Sequence, residues 1–64
     1  SRMTTKLVKI SKNFYCFSVW DESDLLSVYT GSAKRVTSSA KKVGYDISLK
    51  MHILNNEEYA LNHI

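Results

Sequence analysis

The run Phe14-Tyr15-Cys16-Phe17-Ser18-Val19-Trp20 constrains this chain more than any other segment. Aromatic and β-branched residues favour strands, so the run reads as a strand, and it is apolar on both faces. If Tyr15, Phe17 and Val19 face a covering helix, then Phe14, Cys16, Ser18 and Trp20 face the other way. One short helix covers only one face of a sheet. The remaining aromatics therefore need cover from the chain's own ends, from a partner, or from a second copy.

The rest of the pattern supplies the sheet and the helix. Lys6 to Ser11 alternates, with Val8 and Ile10 on one side and Leu7 and Lys9 on the other, which reads as a strand. Lys12-Asn13 reads as a tight hairpin turn, though without the glycine such turns favour, and the alternative is one long bent strand. Asp21-Glu22-Ser23-Asp24 is a polar loop, and Leu25 to Tyr29 is a third strand, antiparallel because its connection is short. Ala33, Val36, Ala40 and Val43 form a narrow apolar helical stripe, with Ser32 or Thr30 as its N-cap and Gly44 placed to close it. Tyr45, Ile47, Leu49, Met51 and Ile53 alternate with Asp46, Ser48, Lys50, His52 and Leu54, which predicts a further half-buried strand. Asn55 to Glu58 reads as a turn or the capped start of a short helix, and Tyr59 to Ile64 as a returning edge strand. The expected fold is α+β: a small antiparallel sheet of three to five strands with one helix on one face, in the order ββ(β)αβ(β). The expected core is Val8, Ile10, Phe17, Val19, Leu26, Val28, Ile47, Leu49 and Met51.

Sixty-four residues read as one domain spanning 1–64. A domain of this size buries only about 60% of the surface its unfolded chain exposes, so it is marginally stable unless something else holds it. Its single cysteine makes no internal disulfide and builds no zinc site alone. A partner or a dimer is therefore a natural source of extra stability. No apolar run is long enough to span a membrane, and no signal peptide is evident. A core this small has little room for a deep substrate pocket, which argues against an enzyme.

Charge narrows the reading further. The net charge is +3; residues 1–45 carry eight cations against three carboxylates, and residues 46–64 carry one against three. Ser1-Arg2 ahead of Met3 reads as a cloning remnant, which leaves a mildly basic chain. Lys34, Arg35, Lys41 and Lys42, with Ser38 among them, lie on the helix face opposite the apolar stripe. Positions 34 and 41 superpose on that face, as do 35 and 42. A solvated face is the plain alternative, but Lys34 and Arg35 sit in the first turn, where the helix dipole disfavours cations by a few tenths of a kcal/mol. No acidic residue lies between Leu25 and Tyr45 to compensate them. A phosphate or an acidic protein patch explains four such cations better than helix stability does. The expected partner-binding residues are these four with Ser38, Phe14 and Trp20.

The candidate catalytic residues read otherwise. Cys16, in mid-strand, is a small hydrophobe. His52 and His63 are eleven apart and lack the spacing of zinc ligands. Asp21, Glu22 and Asp24 lack the glycine and spacing of a calcium loop. No catalytic residue, cofactor or metal is expected.

Two resemblances follow. Lys12-Asn13-Phe14-Tyr15-Cys16-Phe17, a second strand and then a helix resemble the arm-site DNA-binding domains of phage-type integrases, which lay a three-stranded sheet in the major groove. The acidic turn and the strand expected after the helix depart from that pattern. The strand ending at Tyr29, the helix led by Thr30-Gly31-Ser32-Ala33-Lys34-Arg35, and the alternating segment after it resemble small phage-encoded proteins that switch off host machinery, such as RNA polymerase inhibitors, anti-CRISPR proteins and antitoxin-like decoys. That resemblance implies a non-enzymatic inhibitor acting in the host cytoplasm on a host protein or nucleoprotein, with no membrane role. The alternative is direct DNA or RNA binding by the basic helix and the aromatic sheet face, and a third reading is a structural homodimer.

Overall fold

The computed structural model describes residues 2–62, with side chains described through Asn56. Strands β1 (Met3–Ser11), β2 (Phe14–Asp21) and β3 (Asp24–Gly31) form one antiparallel sheet in the order β1-β2-β3. The doubly apolar run thus becomes the central strand. Lys12-Asn13 and Glu22-Ser23 make the two turns, at opposite ends of the sheet. Glu22 takes a left-handed φ of +55°, and its N–H donates to the Arg2 carbonyl at 2.9 Å.

Register decides which residues are buried. Leu7 pairs with Phe17 and Phe17 with Tyr29; Thr5, Val19 and Ser27 form the next row of the same face, and Lys9, Tyr15 and Gly31 the row beyond. This inner face carries the core of Tyr15, Phe17, Val19, Val36, Ala40, Ile47 and Met51. Phe17 is fully buried, with the Tyr29 ring 6.4 Å and the Tyr45 ring 5.8 Å from its own. Phe17, Val19, Ile47 and Met51 are core as expected. Val8, Ile10, Leu26, Val28 and Leu49 are not: each is at least 40% exposed. The pairing of Leu7 with Phe17 turns Val8 outward, because a one-residue change of parity exchanges the two faces of a strand.

Helix α1 (Ala33–Lys42) follows the sequence closely. Ser32 Oγ accepts from the Arg35 N–H at 3.2 Å, and Val36 and Ala40 bury the stripe. Small side chains there let the helix lie close to the large residues of β2. At the other end the Gly44 N–H donates to Lys41 O at 3.1 Å with φ +98°, a left-handed closure suited to glycine. Val43, last of the expected stripe, lies past the helix and is half exposed.

The strand expected over Tyr45 to Leu54 is a helix. Helix α2 (Ser48–Asn62) takes in that segment, the expected turn at Asn55–Glu58, and residues 59–62 of the expected edge strand; residues 63–64 lie outside the described residues. Ile47, Met51 and Leu54 recur at helical spacing and pack inward, whereas Leu49 and Ile53 lie off that stripe and are exposed. Asn55 Oδ1 accepts from the Tyr15 hydroxyl at 2.7 Å and from Lys9 Nζ at 3.3 Å, and Lys50 Nζ donates to Thr5 Oγ1 at 3.4 Å. These bonds hold α2 over β1 while α1 packs against β2 and β3. The fold is α+β with element order βββαα.

Asp46 starts α2. Its Oδ1 accepts from the Ser48 N–H at 3.1 Å, and the Ser48 backbone and side-chain bonds, helped by Lys41, hold its carboxyl below the usual Asp range. A lowered folded value means the carboxylate stabilises the fold above its ordinary pKa and loses that contribution as pH falls through the lowered one. Asp46→Ala is expected to lower the melting temperature at pH 7, and Asp46→Asn to lower it less, since the amide keeps an acceptor. The gap between parent and Asp46→Ala should shrink on acidification. A gap of constant size down to about pH 2 would show that the charge plays no part.

Candidate interaction surfaces

The helix face expected to bind a partner is exposed as a unit. Lys34, Arg35, Ser38, Lys41 and Lys42 all point away from the core, and no acidic residue occupies the first turn of α1. The superposed pairs take different positions. Lys34 and Lys41, with Thr37 and Ser38, line an open groove of about 460 Å³ whose other wall includes Ser48 and Met51 of α2. Arg35 instead lays its aliphatic stem over Gly31. A Cβ at Gly31 would lie 2.7 Å from Arg35 Cδ, and the backbone there has φ +139°, so glycine serves both the conformation and the close approach. Lys42 is exposed and stands outside the groove.

The second surface is the outer face of the sheet. Val8 pairs with Cys16 and Cys16 with Thr30; Lys6, Ser18 and Val28 form the next row, and Thr4, Trp20 and Leu25 the third. Bulges place Ile10 beside Ser11 opposite Phe14, and Leu26 beside Leu25 opposite Trp20. Val8, Ile10, Phe14, Leu25, Leu26 and Val28 are all between 40% and 57% exposed, and Trp20 and Cys16 are half-buried among them. Among the described residues, the bonds and core contacts that the two helices make to the sheet are to its inner face. Trp20 Nε1 donates to Ser18 Oγ at 2.9 Å, so the indole is satisfied within the sheet. The aromatic patch and the cationic helix face, joined in one nucleic-acid site by the alternative reading, lie on opposite sides of the sheet.

The other polar residues do not gather into a site. Cys16 is a free cysteine on the outer face, and His52 is exposed with Nε2 3.1 Å from Asn56 Nδ2. His63 lies outside the described residues. Among the described residues no three metal-ligating side chains come together, and no helix is long and apolar enough to cross a membrane. Comparison with protein-family models, curated proteins and solved structures gives no match.

Sequence reading identified the cations from their spacing. It missed Asn55, whose link to Tyr15 and Lys9 seats α2; a polar residue in line with Met51 at i+4 and Ile47 at i+8 was the available signal.

Proposed function

We propose that the chain is a non-catalytic binding protein that docks the outer face of α1 onto an acidic macromolecular surface. Its resemblance to small phage-encoded inhibitors suggests a component of host nucleic-acid machinery as the partner, which docking would block. The observation that carries this reading is the placement of Lys34 and Arg35. They occupy the positive end of the α1 dipole with no carboxylate in that turn, a small cost to the helix that an anionic partner offsets.

Direct binding to DNA or RNA is the second reading, favoured by the groove in which Lys34 and Lys41 stand beside the hydroxyls of Thr37, Ser38 and Ser48. Against DNA at the sheet stands its outer face, where Val, Ile, Leu and Phe replace the cations a phosphate backbone needs.

Salt separates the two readings. The tagged chain is incubated with bacterial lysate, with and without nuclease, and binding to duplex DNA and RNA is titrated against salt. Capture of one protein that survives nuclease and depends weakly on salt supports the lead reading. A slope of about −0.9 in log K against log salt for each phosphate contact, with capture lost to nuclease, supports the second. No binding at low salt would sink both.

A further inference from the structure

We infer that the outer face of the sheet is a self-association surface, and that two copies pack face to face with their strands running in opposite senses. This stands apart from the reading of α1, because the two surfaces lie on opposite sides of the sheet.

Three observations carry it. The first is size. Six half-exposed apolar side chains, with parts of Trp20 and Cys16, leave on the order of 500 Å² of apolar surface, in the upper part of the range for the largest patch on a soluble monomer, where such patches are often functional. Two such faces together reach roughly 1,000 Å², the threshold for a specific interface. The second is polar bookkeeping: Ser18 is buried and the Trp20 N–H is bonded to it, so closing the face orphans no indole donor. Lys6 lies on edge strand β1, from which a long side chain can reach the rim.

The third observation is charge, and it selects the occupant. The turn at one end of the sheet carries Lys12. The turn at the other end carries Glu22, while Asp21 and Asp24 pair with each other on the parity of the inner face. A face with a basic end and an acidic end is complementary to itself when a two-fold axis lies in the interface across the strands. That axis sets the Lys12 turn of one copy over the Glu22 turn of the other, twice by symmetry. It also brings Phe14 toward the Trp20 end of the second copy, the kind of aromatic pairing found in interface cores. The product is a four-layer α/β/β/α dimer, with its two cationic α1 faces about 30 Å apart on opposite outer surfaces.

Sedimentation equilibrium from about 1 µM to 1 mM, followed also by Trp20 fluorescence, tests this. The expected result is a reversible shift from the 7.3 kDa chain to twice that mass, with a concentration-dependent change in Trp20 emission. Val28→Lys places a charge in the middle of the face, where the parent residue is half exposed, and should weaken association at least about 100-fold with an unchanged far-ultraviolet circular dichroism spectrum. Lys12→Glu should weaken it about tenfold, and Lys12→Glu combined with Glu22→Lys should restore it. The combined variant keeps the test decisive even if Val28→Lys fails to fold. A chain that stays monomeric at 1 mM would overturn the proposal. So would a dimer indifferent to both charge changes, or Trp20 emission that responds only to a different protein.

Discussion

Replacing Phe17 with alanine is expected to leave most of the chain unfolded at 25 °C. Phe17 is fully buried at the middle of the central strand, between Leu7 of β1 and Tyr29 of β3, and it also meets Tyr45. Removing a buried phenylalanine ring costs about 3–5 kcal/mol through lost burial and the cavity left behind. The single core of a chain of 64 residues supplies roughly 3–5 kcal/mol of stability, so the substitution consumes most or all of it. Phe17→Leu fills much of the volume and should cost far less. Urea denaturation followed by circular dichroism reads both. A Phe17→Ala midpoint close to the parent's would show that the core lies elsewhere. The same substitution at Phe14, on the outer face, should change monomer stability by a small fraction of this.

These two phenylalanines show what could be read from the sequence and what could not. All three strands were legible because their residues are of strand type and their connections are short. So was α1, from its stripe, the Ser32 cap and Gly44. The faces of the strands were less so. On β1 the usual rule buries Val8 and Ile10, yet Leu7 faces in beside the polar Thr5 and Lys9. Those polar residues are accommodated by α2: Asn55 accepts from Lys9, and Thr5 accepts from Lys50. Parity on β1 therefore depended on a helix that the local pattern concealed.

That helix was hidden because one stretch fits two periods. Tyr45, Ile47, Leu49, Met51 and Ile53 alternate as a strand would, while Ile47, Met51 and Leu54 also keep helical spacing. Two features favoured the helix. Leu49 to Ala60 is rich in good helix formers (Leu, Lys, Met, Glu and Ala), and Asp46 stands where its side chain can accept from the first turn. The candidate site was legible as charge but not as geometry. Spacing alone put Lys34 above Lys41 and Arg35 above Lys42. Only the packing of α1 against the inner face separates them from Phe14 and Trp20.

Changing Lys34, Arg35, Lys41 and Lys42 together to glutamate should abolish partner binding while the fold persists. Each reversal moves the charge by two, taking the chain from +3 to −5 and turning attraction toward an acidic surface into repulsion. With four contacts reversed, a loss of at least about 1,000-fold in affinity is expected, most of it in the association rate when the contacts lie at an interface rim. The fold survives because all four side chains are exposed and make no part of the core. Glutamates at 34 and 35 suit the positive end of the α1 dipole, by about 0.3–1 kcal/mol each. Glutamates at 41 and 42 are wrong for its negative end by a similar amount, and the one at 41 replaces a cation that helps hold Asp46 ionised. The net change in stability is therefore small, and Lys34→Glu with Arg35→Glu alone should stabilise the helix while still weakening binding. Thermal melts beside the binding assay separate the two effects. A folded quadruple variant that binds as the parent does would remove α1 as the docking surface, whichever macromolecule is the partner.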